Sequence, residues 1–145
     1  MTNIVESFKK IQLNIDKINT DKTVNIIAVS KTFPLEHIQP LIEYGHLHFG
    51  ENKVQEAVSK WTSLKKFNEN IKLHMIGKLQ SNKAKDAIKL FDYIHSLDSQ
   101  KLADVLAKHQ LSLGKQLKYF IQVNIGNEIP VSYTHLTLPT NGGVW

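Results

Sequence analysis

A chain of 145 residues, 41% hydrophobic and 21% charged, has room for one compact domain with a core of its own. It contains no cysteine, which excludes a disulfide framework and thiolate metal sites and points to a reducing compartment. Its 18 basic residues are all lysine; they exceed 13 acids for a net charge of +5 and are interleaved with them, so they read as a solvated surface and exclude a concentrated nucleic-acid interface.

The opening "MTNIVESFKKIQLNI" carries Glu6 and Lys9 among its apolar residues and lacks the core of a signal peptide or a membrane span, so a cytoplasmic protein is expected. Ile4, Phe8, Ile11, Ile15 and Ile18 recur at helical spacing and predict an amphipathic helix. A strand follows over Val24 to Ser30, burying Ile26, Ile27, Ala28 and Val29. Pro34 then opens a helix faced by Leu35, Ile38, Leu41 and Ile42, which Gly45 ends.

"HLHFG" (46–50) reads as the second strand and leads to a helix with Val54, Ala57, Val58, Trp61 and Leu64 on one face. "IKLHMIG" (71–77) is the third, followed by a helix marked by Ala84, Ala87, Ile88 and Phe91. "YIHSLDS" (93–99) is the fourth, and its Asp98 or Ser99 is placed to cap a helix carrying Leu102, Val105, Leu106 and Leu113. "QLKYFIQVNI" (116–125) is the fifth. Strands alternating with helices in this way predict a parallel sheet, either an open doubly wound sheet or a (β/α) barrel.

The rhythm stops at Pro130. The last sixteen residues, "PVSYTHLTLPTNGGVW", carry no charge and no helical period, and "PVSYTHLTLPT" is one reading frame of a transposase-end adapter used in sequencing libraries. The expected division is therefore 1–129 as the N-terminal part of a barrel and 130–145 as a non-native read-through tail.

In parallel β/α folds the chemistry lies beyond the carboxyl ends of the strands. Lys31 follows the first strand, "FGEN" (49–52) the second, and "HMIGKLQSNK" (74–83) runs out of the third. A lysine buried among apolar strand residues offers a free amine that condenses with an aldehyde, and pyridoxal phosphate is the commonest aldehyde held this way; a solvated strand end is the structural alternative. Asn52, Gln80, Ser81 and Asn82 are equally placed to cap helices, and His74 to be a hydrogen-bonded core histidine. His46 and His48 have zinc-compatible spacing without a third ligand, so no metal is expected.

Taken together, "IAVSKTFP", "HFGENKVQEA", "HMIGKLQSNKAK" and "IQVNIGNE", in this order, resemble the YggS/PROSC family of pyridoxal phosphate homeostasis proteins over essentially all of residues 1 to 129. The resemblance implies a fold-type III pyridoxal phosphate protein: an α/β (β/α) TIM-type barrel similar to that of alanine racemase, without its second domain. This chain would supply the first five strands and an extra N-terminal helix, truncated before the late loops that bind the cofactor phosphate.

By the same resemblance Lys31 holds the cofactor as an internal aldimine, with Asn52, His74, Gln80 and Asn82 around it. The implied role is intracellular pyridoxal phosphate homeostasis by a monomeric full-length protein, with apo pyridoxal phosphate enzymes as recipients. An amino-acid racemase-like enzyme is the alternative. Racemisation needs a second base, and Tyr44, Tyr93 and Tyr119 lie in or beside regular elements away from the rim; nor is there an arginine to pair with the pyridine nitrogen. A carrier, not an enzyme, is expected.

Overall fold

Apolar side chains at a period of two in the strands and 3.6 in the helices sort the chain into two layers. The computed structural model describes residues 3–18 and 24–126; the tail assigned to 130–145 lies outside them. Five parallel strands, β1 (Ala28–Val29), β2 (His48–Glu51), β3 (Lys72–Met75), β4 (Tyr93–Leu97) and β5 (Lys118–Ile121), lie side by side in chain order. Between them run α2 (Leu35–Tyr44), α3 (Val54–Phe67), α4 (Ala84–Leu90) and α5 (Gln100–Leu113), with α1 (Ile4–Ile18) ahead of the first strand.

The strand order separates the two architectures. A doubly wound sheet reverses direction at a switch point, whereas an order of β1 through β5 without reversal is the winding of a (β/α) barrel. The described residues form the first five strands of such a barrel, with α1 laid against α2 through Phe8 and Tyr44, whose ring centroids are 5.9 Å apart.

Strand phase then assigns the faces. Phe49 and Glu51 of β2, Leu73 and Met75 of β3, and Ile94 and Ser96 of β4 point towards the helices and are all buried. The opposite phase carries His48, His74, Tyr93, His95 and Phe120 onto the inner face, where Phe120 is 52% exposed. The apolar core therefore sits between sheet and helices, centred on Phe49, Trp61, Leu73, Ile88 and Ile94.

The strands are shorter than their apolar runs. The expected burial of Ile26 to Val29 is not realised: β1 pairs only through Ala28 and Val29, and Val29 is 50% exposed. The reason is position, since β1 is an edge strand with a neighbour on one side only. Val58, expected on the core face of α3, is exposed, while Val54, Ala57 and Trp61 are buried. The helix ends follow the sequence closely. Gly45 closes α2 at φ 108°, a left-handed conformation that glycine adopts freely, and the Ser99 hydroxyl caps α5 by accepting from Leu102 N at 3.2 Å. Among the described residues no helix is long and apolar enough to cross a membrane.

One polar group lies inside the apolar layer. Glu51, fully buried, accepts hydrogen bonds from Ser30 Oγ, from Trp61 Nε1 at 3.0 Å and from Lys60 Nζ at 3.0 Å. Lys60 also donates to the Ser30 carbonyl at 2.7 Å, so the carboxylate and the ammonium are both satisfied. Removing the acid alone strands a buried cation. Glu51→Ala is expected to cost about 3–5 kcal/mol in urea denaturation, and adding Lys60→Met to recover part of that loss.

Candidate functional site

The strand that ends in Lys31 is tied down by side chains more than by its short ladder. Ser30 N donates to the Gly50 carbonyl at 2.9 Å, and its hydroxyl is the Glu51 partner described above. Lys31 itself is exposed, in the turn that follows, so of the two readings the sequence left open its side chain takes that of a solvated strand end and is not packed among apolar strand residues. The next residue departs from ordinary geometry. Thr32 has φ 64°, a left-handed conformation that costs a β-branched residue on the order of 1–3 kcal/mol.

That conformation is held from both sides. Thr32 N donates to Glu56 Oε1 at 2.8 Å, and its hydroxyl bonds to the Lys31 carbonyl at 2.6 Å. Strain of this kind persists where the surroundings over-determine it, and here it sits directly after the candidate attachment lysine. Nothing in the sequence marks Thr32 for this role.

The neighbouring strand ends build a cleft. About 570 Å³ of space is lined by Asn52, Glu56, Met75, Lys78, Gln80 and Lys83, between the loop after β2 and the loop after β3. Asn52 is not a cap, since Lys53 holds that position in α3, and Gln80 occupies the N-cap position of the 3₁₀ turn Ser81–Lys83 without making a side-chain capping bond. The buried Asn52 Oδ1 has no hydrogen-bond partner among the described residues, an acceptor left for a donor that enters the cleft. Gly77 closes against the same residue. A Cβ at position 77 would overlap the Asn52 carbonyl oxygen and lie 2.7 Å from its Cβ, so only glycine allows the approach.

Of the expected site residues, Asn52 and Gln80 thus share one cleft. Asn82 is exposed on the 3₁₀ turn Ser81–Lys83 that leads into α4. His74 lies deeper, on the inner face, and belongs to a different constellation. Its Nε2 is 2.9 Å from His48 Nδ1 and its Nδ1 is 2.8 Å from His95 Nε2. Tyr93 stacks on His74 at 4.2 Å between centroids and Phe120 on His95 at 4.4 Å.

Burial lowers the basicity of all three histidines. The pKa of His74 falls to about 4, first by desolvation and then by repulsion from His95 and His48, with Asp92 opposing. His48 is lowered by desolvation and then by Lys72, and His95 by desolvation. All three are neutral near pH 7, so each contact is an N–H···N bond between neutral imidazoles. His46, whose ring lies 6.4 Å from that of His48, joins no metal cluster among the described residues.

Residues 7–129 match the family described as alanine racemase, N-terminal domain. The chain is 41% identical over 122 residues to the pyridoxal phosphate homeostasis protein of Buchnera aphidicola subsp. Schizaphis graminum, covering 83% of this chain and 53% of that protein. It is 38% identical over 130 residues to the protein of that name from Pasteurella multocida, covering 86% and 56% respectively. The chain spans about half the length of the relatives it matches.

Among solved structures, PipY of Synechococcus elongatus without pyridoxal phosphate superposes with a TM-score of 0.78 at 37% identity, over 87% of this chain and 56% of PipY. The same protein with pyridoxal phosphate bound gives 0.71 at 39% identity, over 81% and 55%.

Two outcomes follow from this geometry. Below pH 6.5 the unfolded chain protonates His74 while the folded one resists until about 4, so the unfolded state binds more protons in that window and stability falls as pH drops through it. Urea midpoints between those pH values should show a flatter slope in His74→Gln. Gly77→Ala should lower stability by about 1–3 kcal/mol, because its methyl group displaces the Asn52 backbone.

Proposed function

The chain belongs to the alanine racemase N-terminal domain family, and on that premise we propose that it is the N-terminal half of a pyridoxal phosphate carrier that attaches its cofactor to Lys31. The observation that carries this reading is the lysine turn itself. An exposed amine at the carboxyl end of β1, fixed by the strained Thr32 and its bond to Glu56, stands one strand away from Asn52 with its unpartnered Oδ1. The names of the relatives and the cofactor in the PipY structure support the same reading.

The residues present fit such a group. Bound pyridoxal phosphate would supply an aldehyde that condenses with a primary amine. Lys31 offers the amine, Asn52 an acceptor, and Gln80, Lys78 and Lys83 a polar and cationic cleft for anionic or hydroxyl substituents. Asn82 is exposed on the turn that follows Gln80, and His74 is bonded to His48 and His95 on the inner face, outside this cleft. Cytoplasmic location, monomeric state and delivery to apo-enzymes complete the proposal.

A racemase-like enzyme is the second reading, because the family takes its name from one. Racemisation needs a base on each face of the substrate carbon. Among the described residues the tyrosines are poorly placed for that: Tyr93 opens β4 at the amino end of the sheet and is stacked on His74, the Tyr119 hydroxyl bonds Gln110 at 2.9 Å, and Tyr44 is exposed on α2. This favours the carrier.

Borohydride reduction of the full-length protein loaded with pyridoxal phosphate should leave the cofactor on Lys31 by peptide mapping, and Lys31→Ala should lose the adduct and its absorbance band. Recovery mainly on Lys78 or Lys83 would sink the assignment. The loaded protein should activate an apo-enzyme and leave alanine enantiomers unchanged, whereas Lys31-dependent racemisation would transfer the reading to the enzyme.

A further inference from the structure

Lys31 lies between two peptide groups that a single helix holds. Lys60 Nζ donates to the Ser30 carbonyl at 2.7 Å, on the peptide that enters Lys31, and Glu56 Oε1 accepts from Thr32 N at 2.8 Å, on the peptide that leaves it. Glu56 and Lys60 stand one turn apart on α3, with Nζ 3.9 Å from Oε1. The grip joins the turn after β1 to the first turns of the helix after β2.

The turn held in this way is an unfavourable one for its residues. Phe33 N donates to the Ser30 carbonyl at 3.3 Å and closes a four-residue turn with Lys31 and Thr32 at its centre, where Thr32 alone among the described non-glycine residues has a positive φ, 64°. A negative φ followed by a positive one makes the turn type II. Its third position suits glycine or asparagine, and a threonine there is strained.

Type I and type II differ by a half-turn of the central peptide. Flipping it would return Thr32 to negative φ, but it would exchange the places of the Thr32 N–H and the Lys31 carbonyl oxygen. That oxygen would then face the Glu56 carboxylate, two acceptors with no proton between them. Glu56 therefore selects the strained turn, and the Thr32 hydroxyl, bonded to the Lys31 carbonyl at 2.6 Å, steadies the other side of the same peptide.

We propose that the Lys31–Thr32 peptide is a two-position element, that its strained position is the one competent for cofactor attachment, and that Glu56 is the positioning residue that keeps it there. The inference rests on the reading of Lys31 as the attachment residue. Attachment joins the lysine nitrogen to an aldehyde carbon by a double bond and releases one water, with nothing oxidised or reduced. A molecule that reaches from that nitrogen into the cleft needs the two at a fixed separation. Glu56 supplies the link, because the carboxylate that holds the turn also lines the cleft of about 570 Å³ with Asn52, Lys78 and Lys83. Flipping the peptide parts the turn from the cleft wall and favours release.

In the cofactor-free full-length protein, a strong NOE from Lys31 Hα to the Thr32 amide proton should mark type II. Glu56→Ala should replace it with a strong NOE between the Lys31 and Thr32 amide protons, while the Trp61 indole signal stays in place. A type II pattern that survives Glu56→Ala would overturn the hold without touching the Lys31 reading. With pyridoxal phosphate added, Glu56→Ala should weaken borohydride-trapped attachment to Lys31 about tenfold, the population shift that one strained residue can supply. Glu56→Gln keeps an acceptor oxygen and should recover most of that loss. Adding Thr32→Gly to Glu56→Ala should do the same, since glycine takes the type II position without strain. If glutamine behaves as alanine, or glycine restores nothing, Glu56 acts through its charge or on α3 as a whole, and the proposal falls. Trapping away from Lys31 in the wild type would overturn the Lys31 reading and, with it, the role of the turn in attachment.

Discussion

A carboxylate buried between sheet and helix orders the geometry around it. Glu51 joins β1 through Ser30, its own strand β2, and α3 through Lys60 and Trp61, and Lys60 returns to the Ser30 carbonyl. In a layer of Phe49, Leu73 and Ile94 an unpaired charge would be expelled, so the group is stable only with every partner in place. The two-residue ladder of β1 could not by itself hold the turn that follows. The buried ion pair does so from behind, and Glu56, one helical turn before Lys60, holds it from the front through Thr32. The exposed lysine is thus mounted on a rigid polar frame that reaches into the core.

The two faces of the sheet do different work. The outer phase of each strand is apolar apart from Ser30, Glu51 and Ser96, and locks the helices on. The inner phase is aromatic and imidazole-rich, with Phe120 open to solvent among the described residues. The relatives are about twice as long as the matched region, and the later strands of a barrel would face this surface. The rim then sits where the two regimes meet, with the strained Thr32 and the close Gly77–Asn52 approach as its tightest points.

Much of this was legible in the sequence for a local reason. Helix faces such as Leu102 with Leu106, the Ser99 cap and the Gly45 stop depend on residues within four or five positions of one another, and periodicity reports them well. The four spaced motifs supplied the family and the order of the strand ends. What stayed hidden depends on register between distant segments. His48, His74 and His95 look like three isolated histidines until strand pairing brings their nitrogens within 2.9 Å. Glu51, inside "FGEN", looks like a rim acid, because nothing nearby announces that Ser30 and Trp61 will close over it. Strand lengths were overestimated since apolar runs continue past the ladder, most clearly at the edge strand β1.

The partners of that carboxylate also dictate an order of assembly. Ser30 reaches its final hydrogen bonds only when Glu51, Lys60 and Trp61 are available, one strand and two helices later in the chain. On the ribosome, a nascent segment that stops short of α3 has β1 and its lysine turn made but unanchored, with Ser30 and the backbone around it still exchanging with water. The turn is set only as Trp61 packs onto Phe49, so the first βαβα segment folds as one cooperative unit and not as a strand to which others are added.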